Sequence, residues 1–258
     1  MTKINWDESQ SLDKLADLSI KTGVALQPRQ DLLITAPMEA APLVRLLAHH
    51  AYKAGAGLVT PFYTDPEITL ARYQHAAPES FDKTTDWLFD GMAIAFDKNT
   101  ARLAVVGEDP MLLSGQNPEH LGRANQAMSK ASSPLRERIT RFDINWNIIA
   151  WPGLQWAKLV FPQMSDADAQ IALAEAIFKA SRVNTSDPNE AWAVHNKNLR
   201  ARTEWLNTKN FAALHFYGEG TDLTVGLADG HEWMGGASTA RNGVTCNPNI
   251  PSEEVFTT

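Results

Sequence analysis

The sequence predicts an α/β fold: a mostly parallel sheet flanked by helices on both faces, followed by the antiparallel β start of an incomplete second domain. Short apolar runs of strand length alternate with longer amphipathic segments as far as about residue 207, a pattern typical of βαβ units and a parallel sheet. Beyond that point short β-rich runs are separated by glycine-containing turns, which indicates antiparallel pairing.

Length and composition restrict the function classes. The 258 residues are enough for one large domain or two ordinary ones. The net charge is −7 and no block of Lys and Arg occurs, so a nucleic-acid partner is not expected. Cys246 is the single cysteine, which excludes an internal disulfide and fits a reducing compartment. No signal peptide and no run of 18 apolar residues is found, so we expect a cytoplasmic protein without membrane contact.

Four apolar runs are predicted to be buried strands, because each has strand length and lies between helical segments. They are "DLLITAP" at 31–37, "GLVTPFY" at 57–63, "ARLAVVG" at 101–107 and "NWNIIAWP" at 145–152.

Helical periodicity predicts six helical segments, at about 12–23, 39–55, 78–99, 118–139 with a break at Pro134, 166–183 and 187–207. Ser9 and Ser11 are candidate caps of the first helix, and Gly23 is expected to end it. Asp187 is predicted to cap the last helix, with Pro188 at its first position, where the missing N–H of proline removes no helical hydrogen bond.

The chain is predicted to divide into a domain at 1–207 and the first strands of a second domain at 208–258. Gly-Glu-Gly at 218–220 and Asp-Gly at 229–230 are both hairpin signals, since such turns need positive φ. About 48 residues of antiparallel strands bury too little surface to form a complete domain. We therefore expect the second domain to be incomplete.

Several kinds of site are disfavoured. "YGEGTDLTVG" at 217–226 lacks the following helix and the Gly-Lys-Ser/Thr of a phosphate loop, and no Gly-x-Gly-x-x-Gly follows a predicted strand. A nucleotide-binding α/β protein is therefore the weakest alternative. No Gly-x-Ser-x-Gly is present, and Cys246 has no evident histidine partner, so nucleophilic catalysis has no support.

The seven histidines show no metal-binding spacing, and a structural role is the favoured interpretation for each. One of the adjacent pair at 49 and 50 is expected to be exposed, and strand pairing would be needed to bring those at 215 and 231 together. They are His49, His50, His75, His120, His195, His215 and His231.

The acidic pair Glu253–Glu254 has two interpretations. Adjacent glutamates in a loop or edge strand are commonly solvated surface. The apolar flanks, Ile250 and Val255–Phe256, instead suggest a strand entering a core, on which one of two neighbouring side chains must point inward. An inward carboxylate needs a cation or a donor, and a divalent metal ion is a natural partner.

Longer stretches then point to a family. "CNPNIPSEEVFTT" at 246–258 closely resembles an Asn-Pro-Asn-(Leu/Ile)-Pro-(Thr/Ser)-Glu-Glu-Val-Phe-Thr segment of the aminopeptidase T / aminopeptidase S family of metallopeptidases. The resemblance covers essentially the whole chain, and it continues in order through further segments. These include "ITAPMEAAPLVRLLAHHAYKAGA", "AIFKASRVNTSDPNEAWAVHNKNL" and "LNTKNFAALHFYGEGTDLTVGLADGHEWMGGAS".

The resemblance implies an N-terminal α/β domain and a C-terminal catalytic domain, usually in a homodimer. It implies a site of two divalent metal ions, with cobalt, zinc or magnesium as occupants, that removes N-terminal amino acids from peptides. The family's first metal ligand matches one glutamate of the pair, with Glu254 favoured and Glu253 the alternative. The catalytic residues and other ligands are expected beyond Thr258, so we expect the 258-residue chain to be inactive alone.

A second function remains open at this stage. The second interpretation, after the enzyme, is a naturally short non-catalytic module that uses its α/β domain for dimerisation or partner binding. Metal ligands downstream in the gene would favour the enzyme, whereas a stop codon after Thr258 would favour the module.

Overall fold

The computed structural model describes residues 8–257. In this range the strands are β1 Leu32–Pro37, β2 Val59–Thr64, β3 Ala101–Val106, β4 Trp146–Ala150, β5 Ala213–Gly218, β6 Thr221–Gly226, β7 Trp233–Gly235, β8 Ser238–Thr239, β9 Thr245–Cys246, β10 Asn249–Ile250 and β11 Val255–Thr257. The α-helices are α1 Glu8–Leu18, α2 Ala41–Lys53, α3 Pro66–His75, α4 Asp86–Asp97, α5 Pro118–Ala131, α6 Ser133–Thr140, α7 Leu154–Val160, α8 Asp166–Ala180 and α9 Pro188–Lys209.

A five-stranded parallel sheet forms the centre of the fold. Its strand order is β10-β4-β3-β1-β2, and every pair in it is parallel. Reading from β2, this is the 2-1-3-4-5 order of flavodoxin-like doubly wound folds. The α/β prediction is confirmed, with the addition that a short strand from the C-terminal part supplies one edge.

The two faces of the sheet are buried under different helices. Leu32 and Ile34 of β1 belong to the main apolar cluster, which includes residues of α1 and α2 such as Leu15 and Leu47. Leu33, between them, belongs to a second cluster with residues of α4 and α6. Successive side chains of a strand point to opposite faces, so the continuous apolar run of β1 reflects burial on both sides.

The strand β2 is an edge, which corrects the prediction that it is buried. Its residues are half-buried or exposed. The N–H of Val59 donates to Tyr52 Oη at 3.1 Å and not to the neighbouring strand β1. Because backbone groups two residues apart in a strand face the same side, the nitrogen of Pro61 also faces the unpaired edge of the sheet. Proline has no N–H and is tolerated there. An apolar run alone does not distinguish a central strand from an edge strand.

The helix predictions are correct in most places and wrong in two kinds of detail. The two short helices α3 and α7 were not predicted. The predicted helix at 78–99 is a 3₁₀ turn, Pro78–Asp82, followed by α4. The break in 118–139 lies at Ser132, and Pro134 occupies the first turn of α6, where proline is tolerated.

The long helix α9 begins as predicted. Asp187 Oδ1 accepts hydrogen bonds from the backbone N–H groups of Asn189 and Glu190, at 3.0 and 3.1 Å, and Pro188 is the first helical residue. The helix ends at Asn210, whose φ of 45° is left-handed, the conformation that commonly terminates helices.

The C-terminal part consists of short antiparallel pairs. β5 and β6 form the predicted hairpin around Glu219–Gly220, while β7 pairs with β11 and β8 with β9. The second predicted hairpin is wrong: Gly230 has a positive φ of 76°, but the strands on either side of it pair elsewhere. The turn chemistry predicted a bend, whereas the pairing was decided by contacts with α9. The domain boundary at 207 stays a prediction.

Between residues 8 and 257, no helix combines the length and the apolar character needed to cross a lipid bilayer.

Candidate functional site

The acidic pair lies in a short irregular segment, residues 252–254, between β10 and β11. The prediction that the pair is on a strand, with one carboxylate pointing inward, is wrong, because both glutamates are exposed. Pro251 follows β10 directly and has no N–H for a ladder. Regular pairing resumes only at Val255.

The chain leading into this segment is fixed to the parallel sheet. The N–H of Asn247 donates to Gly23 O at 2.8 Å, and its carbonyl accepts from Asn147 Nδ2 at 2.7 Å. Ile148 N–H donates to Pro248 O at 2.7 Å. Asn247 is 2% exposed and Ile250 is 1% exposed. The acidic pair therefore follows an anchored strand.

The chain leaving the segment is fixed to α9. β11 pairs with β7, and Asn207 of α9 exchanges two hydrogen bonds with the backbone of Trp233, at 2.7 and 3.1 Å. A side chain at Gly235 would contact the carbonyl oxygen of Glu254 at 2.9 Å. Because this contact leaves little room, glycine allows β7 to lie directly beside the acidic pair.

The two glutamates have different surroundings. Glu253 Oε1 forms an ion pair with Arg182 Nη2, 2.7 Å away, and Glu253 Oε2 lies 3.7 Å from His195 Nε2. Glu254 Oε2 accepts from the backbone N–H of Glu253 at 3.1 Å. We find no ion pair to Glu254 among residues 8–257. The structure thus brings Glu253 to the α/β domain and leaves the Glu254 carboxylate facing solvent.

Most histidines have structural partners. His49 is exposed and His50 half-buried against Asp13, as predicted for adjacent helical residues. His215 contacts Asp222 at 2.7 Å, and His231 contacts Ala228 O at 2.9 Å. Within residues 8–257, no group of three or more His, Cys, Asp or Glu is arranged to hold a metal ion.

His75, His120 and Cys246 were not predicted to be site residues. His120 stacks on Phe81, with ring centroids 4.4 Å apart, and His75 is exposed at the end of α3. Cys246 is buried, and burial raises the pKa of its thiol to about 11. A thiol with so high a pKa is almost fully protonated at neutral pH, so Cys246 is unsuited to act as a nucleophile.

A second acidic pair lies at the carboxyl edge of the sheet, between β1 and β3. Partial desolvation raises the pKa of Glu39, the charge of Glu108 raises it further, and a hydrogen bond from the Leu154 N–H opposes the rise. This is the position where doubly wound folds bind ligands. A methyl group at Gly153 would overlap Gly107 O and lie 2.8 Å from Glu39 Oε1. The loop after β4 therefore packs directly against the loop after β3 at this edge of the sheet.

Arg182 was not predicted as a site residue, and His195 was predicted to be structural. Arg182 lies 71 positions before Glu253 in the numbering and His195 lies 58 before it. No local motif joins these residues. Their contact with the acidic pair exists only because α8, α9 and the segment 252–254 meet in the fold.

The family model described as thermophilic metalloprotease (M29) matches residues 8–258. The chain belongs to this family.

Relatives with curated names agree with the family assignment. Aminopeptidase T of Thermus thermophilus is 48% identical over 248 residues, which are 96% of this chain and 61% of that protein. Aminopeptidase 2 of Geobacillus stearothermophilus is 38% identical over 252 residues, which are 98% of this chain and 60% of that protein. The solved structure of wild-type AmpT from Thermus thermophilus superposes with a TM-score of 0.91 at 46% identity, covering 97% of this chain and 62% of that one. The chain thus spans about three fifths of the length of these relatives.

Proposed function

We propose that this chain carries the N-terminal α/β domain, residues 1–207, and the first catalytic-domain strands, residues 208–258, of a metal-dependent aminopeptidase. The enzyme would use two divalent metal ions, cobalt, zinc or magnesium, to release N-terminal amino acids from peptides. Membership of the thermophilic metalloprotease (M29) family and relatives named as aminopeptidases support this proposal.

The single observation that carries the site assignment is the contrast between the two glutamates. Arg182 neutralises Glu253, whereas the exposed Glu254 carboxylate retains oxygen lone pairs for a further partner. Carboxylate oxygen is a ligand that hard and borderline divalent cations accept. Glu254 therefore fits the first metal ligand and Glu253 fits a supporting role. Bound divalent ions would polarise the scissile carbonyl and lower the pKa of a water molecule.

We further propose that the 258 residues are inactive without the other ligands. A zinc-type catalytic ion needs about three protein ligands. The absence of any suitable His, Cys, Asp or Glu group from residues 8–257 supports this view. The catalytic residues would come from polypeptide equivalent to the part of the relatives that this chain does not match.

The β5–β6 hairpin gives independent support for such additional polypeptide. Phe216 is 50% exposed and Leu223 is 52% exposed, and these two residues face each other across the hairpin. An isolated two-stranded hairpin is marginally stable in water. Exposed apolar side chains on such a hairpin are expected to be covered in the complete enzyme.

A chimera tests the proposal. Residues 1–258 would be fused to the portion of Thermus thermophilus aminopeptidase T that follows its matched region. Hydrolysis of leucine p-nitroanilide would then be measured with Co²⁺, Zn²⁺ or Mg²⁺. We expect turnover by the chimera and none by the 258-residue chain. Glu254→Ala should lower turnover of the chimera by at least about a hundredfold, since even residues that orient metal ligands contribute roughly ten- to hundredfold.

Two outcomes would contradict the proposal. The first is metal-dependent turnover by the 258-residue chain alone. The second is an unimpaired Glu254→Ala chimera, which would remove Glu254 from the metal site. Glu253→Ala is the matched control and should reduce turnover less than Glu254→Ala.

The assembly and the location are part of the same proposal. We propose a homodimer acting on peptides with free N-termini in the cytoplasm, without nucleic-acid or membrane partners. The exposed apolar hairpin also favours the alternative, a non-catalytic module that uses this surface to bind a partner. An inactive chimera together with a stable dimer of the 258-residue chain would favour that alternative.

A further inference from the structure

Arg182 occupies an unusual backbone position at the end of α8. It follows Ser181, the helix C-cap, and has a left-handed φ of 61°. Its N–H donates to Lys179 O at 3.1 Å, and the next N–H, of Val183, donates to Phe178 O at 2.9 Å. These bonds form a Schellman motif, in which glycine is the preferred residue at the left-handed position. Arginine there is unfavourable for the backbone, so its side chain is the feature to explain.

The Arg182 guanidinium is held from several directions. Nη1 donates to Ala180 O at 3.1 Å, and the guanidinium carbon lies 5.2 Å from the centroid of the fully buried Trp192 ring. Nη2 contacts His195 Nδ1 at 3.1 Å and Glu253 Oε1 at 2.7 Å. An arginine that is fixed before it meets a carboxylate loses little rotamer freedom in the contact.

His195 extends the same contact to the backbone. Its Nε2 lies 2.7 Å from Ser252 O and its Nδ1 lies 3.1 Å from Arg182 Nη2. The tautomer with the proton on Nε2 satisfies both bonds, because Nε2–H then donates to the carbonyl while Nδ1 accepts from the arginine. His195 and Arg182 together therefore hold the carbonyl of Ser252 and the carboxylate of Glu253.

We infer that Arg182 and His195 are positioning residues that fix Glu253 and thereby aim Glu254 at the metal site. This inference rests on the proposed function of Glu254 as a metal ligand. Arg182 and His195 contact Glu253 and Ser252, and they act on Glu254 through these two residues. Arg182 also pairs with the carboxylate of Glu253, so that the carboxylate of Glu254 is the one left for the metal ion.

The substitution Arg182→Gly tests the positioning role of Arg182 in the 258-residue chain. Arg182→Gly removes the guanidinium but suits the left-handed backbone, so relief of backbone strain should offset part of the lost contacts and the chain should stay folded. Backbone ¹⁵N relaxation should show the order parameters at residues 252–255 falling from about 0.85 to below about 0.6. Arg182→Lys restores a cation and should return these values toward wild type. His195→Phe keeps a ring beside Trp192 but lacks both nitrogens, and should loosen the same residues.

Arg29 supplies the matched control. It is also an arginine at a left-handed position, with φ of 65°, and its side chain is exposed. Arg29→Gly makes the same change in charge and backbone strain, and should leave the order parameters at 252–255 unchanged. Order parameters that stay above about 0.8 in Arg182→Gly would overturn the inference. So would an equal loosening in Arg29→Gly.

A second measurement separates this inference from the proposed function. Mn²⁺ added to the chimera of the proposed function, which supplies the remaining ligands, should broaden the amide resonances at 252–255. Glu254→Gln should remove this broadening, and Glu253→Gln should only weaken it. The reverse pattern, or no selective broadening, would count against Glu254 as the ligand and also against the aiming role of Arg182. If Arg182→Gly still lowered the order parameters in that case, the Arg182 contact would order residues 252–255 without a role in metal binding. A normal Mn²⁺ pattern with no loosening would overturn the inference alone.

Discussion

Asn196 and Asn247 form a reciprocal pair of side-chain hydrogen bonds. Asn196 Nδ2 donates to Asn247 Oδ1 at 3.0 Å, and Asn247 Nδ2 donates to Asn196 Oδ1 at 2.8 Å. The pair joins the long helix α9 to the chain just before β10. Because the backbone of Asn247 is also bonded to Gly23 and Asn147, this single residue ties the approach to the acidic pair to both the helix and the sheet.

The first prediction concerns this pair. Asn247→Ala removes both side-chain hydrogen bonds and leaves Asn196 Nδ2 without this acceptor, while Asn196 Oδ1 keeps its bond from the Ala237 N–H. In this half-buried setting the free energy of unfolding should fall by about 1–3 kcal/mol. Urea denaturation measures the change. Asn184→Ala, at an exposed position, is the control and should change stability by less than about 0.5 kcal/mol. Equal effects of the two substitutions would show that the Asn196–Asn247 pair contributes little.

The second prediction concerns the loop that closes the carboxyl edge of the sheet. A Cβ at Gly153 would overlap the Gly107 carbonyl oxygen, which belongs to the backbone and cannot rotate away. Gly153→Ala should therefore lower stability by about 1–3 kcal/mol. Gly122→Ala, in α5, meets no atom within 4 Å and should raise stability by roughly 0.5–1 kcal/mol, because alanine favours helix. The melting temperatures of the two variants should shift in opposite directions. A Gly153→Ala variant as stable as wild type would contradict the close packing of Gly153 against Gly107.

The third prediction concerns pH dependence at Glu39. Partial desolvation and the charge of Glu108 raise the pKa of Glu39 in the folded state. A carboxyl whose pKa is raised by folding favours the folded state at low pH, and this contribution is lost as the pH rises from the ordinary value of about 4.3 through the raised pKa. Glu39→Gln should consequently be more stable than wild type at pH 7. The difference should disappear below about pH 4.

The size of this effect should be below about 1 kcal/mol, because Glu39 is exposed and its interactions are screened by solvent. Urea midpoints between pH 3 and pH 8 measure it. Glu175→Gln, on the exposed side of α8, controls for the loss of one carboxylate. A wild-type protein with a higher urea midpoint than Glu39→Gln at pH 7 would show that the fold stabilises the ionised form of Glu39, and would contradict this prediction.

The fourth prediction concerns the exposed hairpin. Phe216→Glu and Leu223→Glu place charges on side chains that are already about half exposed, so the free energy of unfolding of the α/β part should change by less than about 0.5 kcal/mol. If a second copy covers this surface in the 258-residue chain, both substitutions should shift the sedimentation coefficient to that of a monomer. Tyr217→Glu, at an 83% exposed neighbour, is the control. Unchanged association in the two variants would remove the hairpin from any interface between copies.

Much of the fold follows from local features of the sequence. The largely apolar runs at β1, β3 and β4, in which Thr35, Arg102 and Asn147 are the polar residues, are typical of a parallel sheet covered on both faces. Asp187 and Pro188 define the start of α9 by their own chemistry. By contrast, the edge position of β2 and the partner of β7 depend on residues far away in the chain. Local periodicity does not carry that information.

The features of the candidate site also divide into those that depend on local sequence and those that depend on the fold. The sequence by itself determined the family resemblance, the acidic character of residues 253 and 254, and the absence of a phosphate loop or nucleophile motif, because these depend only on residue types and spacing. Only the tertiary structure decided that Arg182 pairs with Glu253 and leaves Glu254 exposed. The two carboxylates are chemically identical and adjacent, so what distinguishes them is the arrangement of α8, α9 and β10 around them.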